Sequence, residues 1–262
     1  MPFAVTKIVP IERGARLMHA VRCPVLELRQ YTLHPGRRDV LIDLFDRELV
    51  EPQEAVGMTI LGQFRDLDDP DRFVWLRGFD DMPQRTKALE GFYGGPVWRE
   101  HRDAANATMI DSDDVLLLRP ASAHGGFPVQ TGARPAPGAP ALSPASVVLA
   151  TIWYGSEPFD AAFVEFFRQH VLPVLAETGG EPLAYLQSEH APNTFPALPV
   201  RLHEEVFVWF ARFADEGHLD RHLKHVQQSE RWREAVQPTL SERSARSPQQ
   251  LRLTPTERST LR

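Results

Sequence analysis

The chain has 262 residues, which is enough for one large domain or two of ordinary size. Its composition, 42% hydrophobic and 24% charged, is typical of a globular protein, and a net charge of -6 without a basic cluster excludes the electrostatic signature of a nucleic-acid-binding protein. The single cysteine, Cys23, excludes an intrachain disulfide, and no apolar run approaches the ~20 residues of a membrane span.

The first part of the chain has the pattern of one small α+β domain. An N-terminal arm (1–23) lacks the apolar stretch of a secretory signal, so we expect a cytoplasmic protein. A first domain is predicted over residues 24–120. Its elements are a strand in VLELRQYTL (25–33), a helix in PGRRDVLIDLFDREL (35–49), strands in GMTILGQF (57–64) and RFVWLRGF (72–79), a broken helix in QRTKALEGFY (84–93) and PVWREHRDAAN (96–106), and a strand in DVLLLRP (114–120). This order is the ferredoxin-like arrangement.

The second part of the chain repeats the first. A Pro-, Ala- and Gly-rich linker is predicted over residues 121–145, a second ferredoxin-like domain over 146–255 and a C-terminal tail over 256–262. FVWLRGF (73–79) returns as FVWFARF (207–213), and Trp-Arg-Glu at 98–100 returns at 232–234, both 134 residues later. If Tyr154 is the counterpart of Tyr31, the first strands of the two copies are 123 residues apart, whereas the repeated strands are 134 residues apart. The second copy therefore has about eleven additional residues between these strands, which we assign to HAPNTFPALPV (190–200). Pro173 is expected to bend or end the first helix of this copy.

The repeated strand predicts how the two copies pack. In residues 73–79 both alternating faces are largely apolar, which a sheet with helices on one side and water on the other would not tolerate. The simplest way to bury the second apolar face is to pack it against the matching sheet of the other copy. We therefore predict two tandem ferredoxin-like (βαββαβ) domains packed sheet to sheet as a barrel with its helices outside.

Three segments resemble one known family. LELRQYTLHPG (26–36), FVWLRGF (73–79) and FYGGPVWRE (92–100) are similar to the NIPSNAP family, within the dimeric α/β-barrel proteins. The resemblance covers most of residues 24–120 and, more loosely, residues 146–255. It implies the tandem barrel. Animal members are linked to mitochondrial and vesicle-associated interactions, whereas bacterial relatives in the barrel group include cofactor-free monooxygenases and haem-dependent enzymes.

A candidate site follows from the charges that only the first copy carries. Alternation puts Glu27 and Arg29 on one face of the first strand, and we assign that face to the barrel interior beside Trp75 and Arg77. The apolar Leu26 and Leu28 are assigned to the helix side. In the second copy the predicted counterparts of Glu27, Arg29 and Arg77 are Ala150, Ile152 and Ala211.

These residues have two alternative interpretations. In the first, Arg29 and Arg77 hold a carboxylate, enolate or phenolate oxygen of a ligand in an apolar cavity, and Glu27 orients an arginine or acts as a base if burial raises its pKa. In the second, Glu27 pairs with the arginines as a purely structural ion cluster. Other residues are predicted to bind the substrate by donating a hydrogen bond, by stacking on it or by lining the cavity. They are Tyr31, His34, Trp75, Phe79, Tyr93, Trp98, Tyr154 and Trp209.

A histidine triplet is the other candidate. His218, His222 and His225 have the helical spacing that could chelate a metal or present a haem ligand. Apolar residues between them form the packing stripe, so we expect the histidines on its solvated flank. We therefore predict that the protein binds neither a metal ion nor a cofactor. The alternative is that these histidines bind haem.

Three classes of function remain open. The first is an enzyme acting on a small organic molecule in the barrel cavity, a cofactor-independent oxygenase or an isomerase of secondary metabolism. The second is a noncatalytic carrier or sensor, and the third is an adaptor that binds proteins through its outer helices and linker. A homodimer is predicted, because the outer strands are exposed.

Overall fold

Eight strands close into one antiparallel barrel in the computed structural model, which describes residues 23–128, 134–138 and 145–262. The strands are β1 (Val25–Leu33), β2 (Thr59–Asp66), β3 (Arg72–Phe79), β4 (Met109–Pro120), β5 (Val147–Gly155), β6 (Pro182–Ser188), β7 (Glu205–Phe213) and β8 (Ser244–Pro255). The N-terminal arm up to residue 22 and linker residues 129–133 and 139–144 lie outside the described part.

Each half of the chain supplies four neighbouring strands of this barrel. Their order around it is β1-β3-β2-β8-β5-β7-β6-β4, so each half has the strand order of a ferredoxin-like sheet. The halves join where β2 pairs with β8 and β4 pairs with β6. The predicted fold is therefore confirmed.

Helices cover the outer surface of both half-barrels. They are α1 (Arg38–Leu44) and α2 (Val50–Ala55), α3 (Met82–Tyr93), α4 (Pro96–Asn106), α5 (Ala161–Phe166) and α6 (Leu172–Glu177), α7 (Glu216–Gln228) and α8 (Gln237–Arg243). None of the described helices has the length and apolar character needed to cross a membrane.

Three π-helical segments lie before prolines. Phe45–Leu49 joins α1 to α2, Phe167–Val171 joins α5 to α6, and Trp232–Val236 precedes α8. Proline cannot donate to the carbonyl four residues earlier, and a widened turn accommodates that missing bond. Of the two effects expected of Pro173, a bend or an end of the helix, the end is wrong, because the helix continues through this turn to Glu177.

The barrel interior is one contiguous apolar cluster with members from both halves. It contains Leu26, Leu28, Val74 and Leu76 from the first half, together with residues such as Val148 and Phe210 from the second. The prediction of which face of β1 points inward is therefore wrong: Leu26 and Leu28 point inward, and Glu27 and Arg29 point outward beneath the helices. An eight-stranded barrel is just wide enough for its own side chains, whereas the helices outside can supply polar partners.

The strand registers also correct the alignment of the two copies. Arg29 lies opposite Trp75, and Thr151 lies opposite Trp209, so Thr151 is the counterpart of Arg29. By the same register Leu149 replaces Glu27, and Trp153 rather than Tyr154 replaces Tyr31. Ala211, which pairs with Leu149, is the counterpart of Arg77 as predicted.

The extra residues of the second copy lie in the connection between β6 and β7. That connection covers residues 189–204, whereas the corresponding connection between β2 and β3 covers only residues 67–71. The assignment of the insertion to HAPNTFPALPV (190–200) is confirmed, and its position against the first half bears directly on the candidate site.

Candidate functional site

A buried ion cluster lies between the first sheet and its helices. Glu27 on β1 accepts from Arg77 Nε on β3 at 2.7 Å, from Arg85 Nε on α3 at 2.7 Å and from Arg29 Nη1 at 2.8 Å. Glu27 and Arg77 are direct cross-strand partners. One carboxylate therefore holds three guanidinium groups, none of which is more than 1% exposed.

Neutral groups complete part of the coordination around the three arginines. Arg29 donates to the Tyr31 hydroxyl at 3.1 Å, and Arg77 donates to the Gln53 side-chain oxygen at 3.3 Å and to the Tyr93 hydroxyl at 3.4 Å. Each of these acceptors is uncharged. These contacts therefore add hydrogen-bond partners but no counter-charge beyond Glu27.

The charge of the cluster is unbalanced. Among the described residues, Glu27 is the only carboxylate within ion-pair distance of Arg29, Arg77 or Arg85, which leaves two positive charges in excess. The Nη2 atoms of Arg77 and Arg85 are buried and have no hydrogen-bond partner in the described part of the chain. Buried charged donors without acceptors are costly, so an anionic acceptor would be favoured beside these two atoms.

The surrounding arginines hold Glu27 in its ionised form. Burial alone would raise the pKa of Glu27, but Arg77, Arg29 and Arg85 together hold it far below its usual range. Glu27 is therefore ionised at any physiological pH and unsuited to act as a base. Burial lowers the pKa of Arg85, and its ion pair with Glu27 offsets only part of that effect, to which Arg77 and Arg29 add. Burial also raises the pKa of Tyr31.

Aromatic rings form the walls around the guanidinium groups. The Trp75 ring lies 5.5 Å from the Arg29 guanidinium carbon and 5.1 Å from that of Arg77, and Phe79 lies 5.6 Å from Arg77. The Trp75 indole N–H is buried and has no acceptor among the described groups. The site therefore combines planar apolar surfaces with unpaired donors, as small-molecule sites commonly do.

The second half of the chain supplies a cover for this site. In the β6–β7 connection, Asn193 accepts from Arg85 at 3.1 Å, and Thr194 bonds to Thr86 at 2.7 Å. The Phe195 ring stacks on Tyr93 with a centroid distance of 6.0 Å and an interplanar angle of 28°. The inserted segment thus closes the site of the opposite half, and we call residues 189–204 the cover segment.

The matching place in the second half is apolar. Leu149 and Ala211 stand where Glu27 and Arg77 stand, and Leu219 follows Ala211 at the spacing by which Arg85 follows Arg77. With Val147 and Phe213 these residues form a separate buried apolar cluster. The same fold is therefore built once with the ion cluster and once without it.

The other predicted site residues are only partly brought together. Tyr93 and Trp98 pack against each other with ring centroids 5.0 Å apart beside the cluster, whereas His34 is exposed in the turn after β1. Tyr154 points into the barrel and donates to Gln249 at 2.8 Å, and Trp209 lies under the helices of the second half. Neither residue lies at the ion cluster: Tyr154 is one residue out of register with Tyr31, and Trp209, the true counterpart of Trp75, belongs to the other half.

Sequence reasoning missed three contributors, Gln53, Arg85 and Asn193. Arg85 had a detectable signal, because the repeat that pairs Arg77 with Ala211 also pairs Arg85 with Leu219. Gln53 and Asn193 had none, since their positions depend on how a helix and the cover segment fold over the sheet.

The histidine triplet has a structural explanation. His222 is buried rather than on the solvated flank; it packs directly over Gly180, and its Nδ1 lies 2.9 Å from the Thr178 hydroxyl. His218 pairs with Asp215, the residue that caps α7. The described residues include no group of His, Cys, Asp or Glu that could hold a metal ion.

Comparisons with known proteins agree with the fold. Residues 26–124 match the family model described as NIPSNAP, and none of the curated proteins matches the chain. Among solved structures, a monooxygenase-like protein from Fusobacterium nucleatum and an anthrone oxidase-like protein each have 12% identity and a TM-score of 0.53, covering 91% of this chain and 94% of theirs. A monooxygenase-like protein from Lactobacillus acidophilus has 12% identity and a TM-score of 0.50, with coverage of 89% and 94%. At these identities the similarity concerns the fold alone.

Proposed function

We propose that the first half of the chain, whose residues 26–124 match the NIPSNAP family model, binds a small organic anion against the ion cluster. The anionic group is a carboxylate, a phenolate or an enolate oxygen. The observation that supports the proposal is the surplus of two buried positive charges, with free Nη2 donors on Arg77 and Arg85.

The repeat supports a ligand rather than a purely structural cluster. Replacing a buried ion network by apolar residues is often neutral or stabilising by about 1–4 kcal/mol. This chain already contains such a replacement, at Leu149, Ala211 and Leu219. An ion cluster that the other half of the chain does without, and whose charge is unbalanced, is better explained by a charged ligand.

The bound anion would accept hydrogen bonds from the unpaired donors of the cluster. Arg77 and Arg85 would donate to it through their Nη2 atoms, while Glu27 keeps both guanidinium planes fixed through their Nε atoms. The Trp75 and Phe79 rings would contact the planar part of the ligand. Entry requires the cover segment to move, because its Asn193 and Phe195 close the site.

A catalytic role is the second candidate. Buried guanidinium groups lower the pKa of a bound phenol or enol, since they stabilise its conjugate anion, and such electron-rich anions can react with dioxygen without a cofactor. The monooxygenase-like and anthrone oxidase-like descriptions of the structural neighbours favour this chemistry. Since Glu27 is not suited to act as a base, the substrate would have to lose its proton to solvent or arrive ionised.

Calorimetric titration tests the binding proposal. Benzoate is the anionic probe, and benzamide is its neutral control of nearly equal shape. We expect benzoate to bind and benzamide to bind at least tenfold more weakly, since each 1.4 kcal/mol corresponds to a factor of ten. The fourfold variant Glu27→Leu, Arg29→Thr, Arg77→Ala and Arg85→Leu should lose the preference. Equal affinity for the two probes in the folded wild type would contradict the proposal.

Oxygen consumption with phenolic compounds tests the catalytic candidate separately.

A further inference from the structure

A groove on the second half lies at the place where the first half is covered. It has a volume of about 580 Å³, and its lining includes Trp153 on β5, Leu223 and Val226 on α7, Trp232, Ser244 and Gln250 on β8, and two arginines, Arg233 and Arg246. This volume is within the range of sites for small organic ligands.

The repeat explains why this groove is open. Trp232 is the counterpart of Trp98, and at the same spacing Gln227, which also lines the groove, is the counterpart of Tyr93. On the first half the Phe195 ring of the cover segment stacks on that wall. The β2–β3 connection, residues 67–71, is the corresponding segment for the second half and lacks the insertion. Within the described part of the chain, an aromatic ring thus covers one copy of this surface and no ring covers the other.

Two of the residues that line the groove have donor atoms without an acceptor. The indole N–H of Trp153 and the hydroxyl of Ser244 are both buried atoms without a hydrogen-bond partner among the described residues. The Trp153 ring itself lies parallel to that of Trp209, with centroids 6.4 Å apart and an interplanar angle of 16°. A buried donor that is left unpaired is costly, and a ligand oxygen would satisfy it.

We infer that this groove binds one flat aromatic molecule that carries a hydrogen-bond-accepting oxygen, such as a carbonyl. The tryptophan rings and the two apolar side chains of α7 contact the ring system, and Trp153 or Ser244 donates to the oxygen. The inference is independent of the anion site, because that site lies in the other half and selects for negative charge.

Titration with an uncharged pair of probes tests this inference. Coumarin is bicyclic, planar and carries a carbonyl, whereas naphthalene has nearly the same shape and no oxygen. Trp153→Phe keeps an aromatic ring and removes the N–H, and Ser244→Ala removes the hydroxyl. We expect coumarin to bind more tightly than naphthalene, and the double variant to reduce coumarin affinity about tenfold with little effect on naphthalene.

The indole N–H resonances give a direct readout. The chain has five tryptophans, and the Trp153 signal is the one that Trp153→Phe removes. Coumarin should shift this signal in the wild type and in the fourfold variant of the ion cluster alike. The inference is overturned if coumarin does not bind, if it binds no better than naphthalene, or if Trp153→Phe and Ser244→Ala together leave its affinity unchanged.

Discussion

Removing the carboxylate from the ion cluster should destabilise the protein far more than removing an arginine. Glu27→Leu leaves three guanidinium groups, each at most 1% exposed, without any counter-charge. Breaking a buried charge network on one side typically costs about 3–5 kcal/mol. For a domain of this size that corresponds to a fall in Tm of about 6–20 °C. Arg85→Leu removes one surplus charge and leaves Glu27 paired, so it should cost less.

The fourfold variant completes the test, because it imitates the second half. Glu27→Leu, Arg29→Thr, Arg77→Ala and Arg85→Leu together should recover the stability lost in Glu27→Leu, and should equal or exceed the wild type. Urea unfolding monitored by tryptophan fluorescence measures the free energy of unfolding of all three variants. If the fourfold variant were as unstable as Glu27→Leu, or if Arg85→Leu cost as much as Glu27→Leu, the cluster would be needed for folding and the argument for a ligand would fail.

Three further predictions concern other parts of the molecule. Burial raises the pKa of Asp46 to about 6, so the folded state binds this proton more tightly than the unfolded state does, and the free energy of unfolding falls as pH rises from about 4 to 6. In urea unfolding, Asp46→Asn should reduce that fall by up to about 3 kcal/mol, and an unchanged pH profile would refute the assignment. Burial lowers the pKa of His222, so stability should decline as pH falls below about 6.5, and His222→Leu should lessen that decline; an identical decline would show that another group causes it. Phe195→Ala removes a ring contact worth about 1 kcal/mol that closes the cover segment, so benzoate should dissociate about fivefold faster, whereas Leu202→Ala at an exposed position of the same segment should not change the rate.

Much of the architecture could be predicted from the repeat itself. The recurrence of residues 73–79 at 207–213 gave the order of elements, and the apolar character of both faces indicated that a second sheet covers the first. The insertion at 190–200 followed from comparing the lengths of the copies. These inferences depend on strand periodicity and spacing, which are local properties of the sequence.

The orientation of β1 could not be predicted, because alternation separates two faces without saying which one is inside. Glu27 and Arg29 point toward the helices, where Gln53 and Arg85 meet them, and the leucines between them fill the barrel. The neighbours Glu27 and Arg77 were nevertheless predicted correctly, since strand pairing brings them together on either face. The contribution of Asn193 depends on the path of the cover segment across the opposite half, which strand periodicity does not describe.

A crystal structure with 4-bromobenzoate bound would test the central claim most directly. The anomalous signal of bromine locates the ligand independently of its shape. The account predicts one site in the first half, with the carboxylate within hydrogen-bond distance of the Nη2 atoms of Arg77 and Arg85 and with the cover segment displaced. A bromine peak elsewhere, with those two donors still unpaired, would contradict it.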